Sequence, residues 1–154
     1  MKTAKCRFLA PAALIFLPVF ALAQAFTFEI ASPVAAQDFR FKTAAFVFRT
    51  TGCVEPEKAE ISATAHGLVD GARRSMPLKV MPSSKAGVYA VIQQWGSGRW
   101  AVVLKGSCAG AQAGAIIPVG QLGFVRDASK FFTHPPTAAE IDAALKAFPE
   151  GGYK

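Results

Sequence analysis

Histidine is nearly absent from this 154-residue chain, which contains only His66 and His134. Zinc sites and hydrolytic triads both draw on imidazole, so two isolated histidines leave little to build either from. The motifs that could compensate are missing too. There is no His-Glu-x-x-His, no Cys-x-x-Cys and no Gly-x-Ser-x-Gly elbow, because "WGSGRW" (95–100) has the wrong spacing. Glu55 and Glu57 flank Pro56 in a turn, where solvated carboxylates are the ordinary finding. The chain therefore reads as non-enzymatic, with no catalytic residue, cofactor or metal assigned.

Charge is sparse as well, at 18% of residues, with a formal net charge of +7. Lys2, Lys5 and Arg7 precede an apolar run and all ten acids follow it, so removing those three cations leaves +4. That excess is scattered. Only Arg73 and Arg74 are adjacent, and no basic stripe tracks a helix, which argues against nucleic acid as a partner.

The N-terminus has the three parts of a secretory leader: the cations just named, the apolar "FLAPAALIFLPVFALA" (8–23), and the small residues of "ALAQA" (21–25). Cleavage is expected after Ala25, with Ala23 as second choice. A retained anchor is the alternative, but a membrane crossing takes about 20 apolar residues. Pro11 and Pro18 also fit badly in a continuous helix. No stable membrane span is expected once the leader is removed.

Cys53 and Cys108 lie beyond the leader, and an even pair in an exported chain reads as a disulfide. The rest of the chain is a series of short alternating segments: 39–48, 59–65, 75–80, 87–94, 99–105 and 115–125. Phase changes between Phe39/Phe41 and Phe46/Phe48, which calls for a bulge or a strand passing between sheets. Pro118 and Gly120 mark the last segment as an edge strand or two short pieces. Turn signals at "TGCVEPE", "DGARR" and "MPSSKAG" separate the segments. The expectation is an all-β, immunoglobulin-like antiparallel sandwich with one short C-terminal helix.

"GVYAVIQQWGSGRWAVVLKGSC" (87–108) reads as a hairpin closed by Gly96-Ser97-Gly98. In that register Trp95 faces Arg99. Val88, Ala90 and Ile92 share the core face with Trp100, Val102 and Leu104, while Tyr89, Gln93 and Trp95 point outward. Cys108 shares the inward parity of Trp100, so its bridge should tie one sheet to the other. Tyr89, Trp95 and Arg99 become a candidate recognition surface, since exposed aromatics beside arginine are the residue types enriched in binding hot spots. Further on, His134-Pro135-Pro136 ends extended structure, and "TAAE" (137–140) predicts a capping box at the start of a helix. Ile141, Ala144, Leu145 and Phe148 form its apolar stripe, for docking on the sandwich or on a partner. The domain reading is a leader (1–25), a disulfide-pinned sandwich (26–130), and a Pro-rich linker with the helix (131–154).

The pattern "GVYAV…GRWAVVL" (87–91, 98–104), preceded by "AEISATAHG" and "MPLKVMP", resembles the hairpin of periplasmic β-sandwich domains of the YtkA-like and FixH-like type. These are similar in architecture to CopC-like copper carriers. The resemblance covers residues 59–105 and implies a sandwich outside the cytoplasmic membrane with a link to copper handling. Two departures stand against the copper part: Met and His ligand positions are thin, and the cysteine pair is an addition. The function expected is an exported binding or interaction module of the cell envelope, periplasmic or secreted, whose partner is an unidentified envelope protein. The alternative is a periplasmic copper carrier using His66, Met76 and Met81 as soft ligands for Cu(I).

Overall fold

The computed structural model describes residues 25–33, 38–120 and 123–149. The leader expected over 1–25 lies outside the described residues except for Ala25, as do residues 150–154. Within them the chain is an all-β antiparallel sandwich with one short C-terminal helix.

One sheet has the order β1-β2-β6-β5, formed by Thr27–Ala31, Ala44–Thr51, Val88–Ile92 and Val80–Pro82. The other runs β10-β8-β7-β3-β4, formed by Lys130–Phe132, Ala111–Gly120, Arg99–Cys108, Glu60–Val69 and Ala72–Leu78. A two-residue strand β9, Gly123–Phe124, also pairs with β8. The phase change near Phe41 has the expected kind of cause. Phe39–Phe41 is a 3-10 turn, and the β2–β6 register shifts between Ala44 and Phe46, so Phe46 and Phe48 turn to the inner face.

Alternation builds the core. Phe28, Ile30, Phe46, Phe48 and Val91 from one sheet meet Ala65, Trp100, Val102, Leu104 and Ile117 from the other, all buried. Phe26, Phe28, Phe48 and Phe46 form an aromatic chain with successive ring centroids 5.6–6.4 Å apart. Fully burying such a side chain stabilises the fold by about 1.5–3 kcal/mol. A second layer covers β7 and β8 from outside. Ala101, Val103 and Ile116 pack against Ile141, Ala144, Leu145 and Phe148, the stripe of helix α1 (Ala138–Lys146) and the turn after it. The helix thus docks on its own sandwich. Its capping box is formed, with the Glu140 carboxylate accepting from the Thr137 N–H at 2.7 Å and Thr137 Oγ1 accepting from the Glu140 N–H at 3.3 Å.

Two expectations need correction. β8 is an interior strand, not an edge. Pro118 fits there because β10 pairs with 114–116 and β9 with 119–120, leaving its missing N–H in the gap between them. The larger correction concerns 87–108. β6 and β7 are not a hairpin: β6 pairs with β2 and β5, β7 with β3 and β8, and 93–98 carries the chain between sheets. The inward set on β6 is therefore Tyr89 and Val91, while Val88 and Ala90 face out toward Phe41. Trp95 shares the odd, inward parity and is buried at 4% exposure, against the expected outward position. Trp100 is buried as expected, its ring lying on Gly67, where a Cβ would come within 2.5 Å of it.

Candidate functional site

The outer face of the four-stranded sheet holds a groove of about 400 Å³. Alternation selects its lining. Ala31 on β1, Val47 on β2 and Val88 on β6 supply an aliphatic floor, while Glu29, Arg49, Lys85 and Arg126 bring charge to its walls. Phe41 is buried on the same face, packing with Val47 and Ala90.

Each charged wall residue is placed by a specific local feature. Glu29 and Arg49 are directly opposite across the β1–β2 ladder, and both guanidinium Nε (2.7 Å) and Nη2 (2.5 Å) donate to Glu29 Oε2. Val88 stands opposite Arg49 on the next strand. Lys85 belongs to the tight β5–β6 connection, where its carbonyl accepts from the Val88 N–H and its own N–H donates to Ser83 Oγ. Ser83, also in the lining, donates weakly to Asp38 at 3.5 Å. The Arg40 side chain beside Asp38 holds that carboxyl below its ordinary range. Arg126 opens the 3-10 turn after β9, its guanidinium 5.9 Å from the centre of the Phe124 ring. Three cations and one carboxylate around an aliphatic floor make a concave site suited to negative charge.

The residues expected to form a recognition surface are not brought together. Tyr89 points inward, stacks on Phe48 with centroids 5.3 Å apart, and donates from its hydroxyl to the Pro56 carbonyl at 3.2 Å. Burial pushes its phenol pKa up, helped by Glu57. Trp95 lies in the core, and its Nε1–H has no partner among the described residues. Arg99 is half-buried opposite Leu68, on the outer face of the other sheet. Cys53 and Cys108 do meet at disulfide distance, with Cα atoms 5.9 Å apart, and link the end of β2 to the end of β7 across the sandwich.

The soft donors proposed for Cu(I) fall on three different surfaces. His66 lies on β3 opposite Ser75 and Ala101, on the face away from the inter-sheet core. Met76 packs into that core, and Met81 packs with Phe41 outside the opposite sheet. Burial lowers the His66 pKa, and Arg73 and Lys105 push it further the same way. The groove went unseen in the sequence because its cations sit far apart in the chain. Only the alternation of Val47 and Arg49 on β2 hinted at a mixed apolar and charged face.

No protein-family model matches the chain, and no curated protein or solved structure matches it significantly. No helix among the described residues is long and apolar enough to cross a membrane.

Proposed function

We propose that this chain is an exported, non-enzymatic binding module of the cell envelope, with its ligand held in the groove on the outer face of the β1-β2-β6-β5 sheet. The observation that carries this reading is the groove itself, a concave surface with an aliphatic floor and an excess of cations on its walls. Ligand sites typically combine apolar lining with a few convergent polar groups in about 300–1,000 Å³, and this one falls within that range. The cysteine pair at bonding distance supports an oxidising compartment, as does the leader-like N-terminus. The sandwich resemblance to YtkA-like and FixH-like domains fits the same location.

Fractionation combined with native mass spectrometry tests this. The protein should appear in the envelope fraction with Cys53 and Cys108 oxidised and with a co-purifying mass. Val88→Trp, which fills the groove, should lose that mass. Recovery of the protein in the cytoplasm with both thiols free would end the exported reading. A bound mass indifferent to Val88→Trp would move the ligand elsewhere.

A further inference from the structure

Resting on the reading of the groove as a ligand site, we infer that it takes a small organic anion with an apolar body, an aryl or alkyl carboxylate. Glu29 holds the anion's place on Arg49 until that ligand arrives. The floor sets the first requirement. Ala31, Val47 and Val88 offer only aliphatic contact, which an inorganic anion or acetate would leave covered by water.

The walls set the second. Lys85 and Arg126 have no carboxylate partner among the described residues, so two of the three cations face the groove without a counter-charge. The third, Arg49, is engaged by a single oxygen of Glu29 through two donors. Both partners are half exposed, with side chains at 59% and 50%, and exposed ion pairs contribute little to stability. A ligand carboxylate replacing Glu29 exchanges like for like at the guanidinium. Glu29 then swings into water, and the ligand's apolar body gains the floor that the short Glu29 side chain does not cover. Glu29 is thereby a competitor built into the site. Its removal should strengthen binding, which is the opposite of what removing a ligand contact does.

The test is calorimetric titration of the full-length exported protein with 2-naphthoate, 2-naphthamide and acetate. Naphthoate should bind and shift the NMR signals of Ala31, Val47 and Val88. Naphthamide should bind about tenfold more weakly or worse, the usual cost of losing a hydrogen bond to a charged group. Acetate should give no measurable heat. Glu29→Gln should tighten naphthoate by roughly threefold, and Arg49→Gln should weaken it by roughly tenfold, as charge-assisted pairing predicts. Lys85→Gln, a surface change in a turn, gives a second weakening variant that does not disturb the β1–β2 ladder.

Equal binding of amide and carboxylate, or Glu29→Gln weakening naphthoate, overturns the proposal. Acetate binding as tightly as naphthoate removes the apolar body from it. If naphthoate fails while a co-purifying ligand is still lost in Val88→Trp, the ligand class is wrong and the groove stands. If both fail, the groove reading falls with it.

Discussion

Trp95 and Trp100 are close in the chain and almost equally buried, yet their indole nitrogens fare differently. Trp100 Nε1–H donates to the Ser97 carbonyl at 3.3 Å, whereas Trp95 Nε1–H has no partner among the described residues. Truncating either ring to alanine should cost about 3–5 kcal/mol, as large aromatic truncations in cores do. Phenylalanine separates them. Trp100→Phe forfeits a made hydrogen bond, but Trp95→Phe removes an unsatisfied donor, so denaturant melts should show Trp95→Phe as the milder change by about 1 kcal/mol. Equal losses would mean that the Trp95 N–H is hydrogen-bonded in the folded protein. His66 gives a second expectation at this scale. Its folded pKa is depressed below the ordinary value by burial, Arg73 and Lys105, so the unfolded chain binds the proton more readily. Stability from this group is fully present above the unfolded value of about 6.5 and declines as pH falls through the folded value. His66→Gln should flatten that part of the stability–pH curve, as measured by thermal melts across pH 5 to 8.

Among the elements, those specified by neighbours in sequence were the legible ones. The C-terminal helix carries its own start signal in Thr137 and Glu140 and its own stripe in Ile141, Ala144 and Leu145, and all of it forms. Strand β1 carries a readable signal, since Phe26, Phe28 and Ile30 alternate, but it lies directly after the apolar N-terminal run, beside which a five-residue strand does not stand out. The fate of 87–108 was not legible, because local alternation fixes which residues share a face and says nothing about which sheet a strand joins. Trp100 goes to β3 because Gly67 leaves room for its ring, a contact between distant segments. The same blindness hid the groove, whose floor needs β1, β2 and β6 side by side. Connections offer a further test. The β7–β8 turn holds Ala109 at φ 49° and Gly110 at φ 84°, both left-handed, and only the glycine is suited to it. Ala109→Asn places the preferred Asn-Gly pair in that turn and should raise stability by about 0.5–1 kcal/mol in equilibrium unfolding. At the helix start, Thr137→Ala should cost about 1 kcal/mol through loss of the cap.

At the scale of the whole molecule, the layers depend on one another unequally. The helix covers the outer face of the larger sheet, mainly over β7 and β8, whereas the Cys53–Cys108 pair joins the two sheets that enclose the main core. The pair spans a sequence separation of 55 residues, running from the end of β2 through β3 to β6 and into β7. Closing a loop of that length removes enough unfolded-state freedom to stabilise the fold by about 4 kcal/mol on the chain-entropy model. That is a large share of the roughly 5–15 kcal/mol of a typical domain. The bridge also fixes the ends of β2 and β7, next to Phe26 and Phe28, and lies far from the 93–98 crossover. Reduction should therefore lower stability without changing which residues face inward. The double variant Cys53→Ala/Cys108→Ala should unfold at a lower denaturant midpoint than the oxidised protein. It should keep the same far-UV spectrum and the same blue-shifted emission of buried tryptophan below the transition. A red-shifted emission in the native baseline would show instead that the bridge holds the sheets in register, because Trp95 and Trp100 are buried only while the two sheets remain stacked.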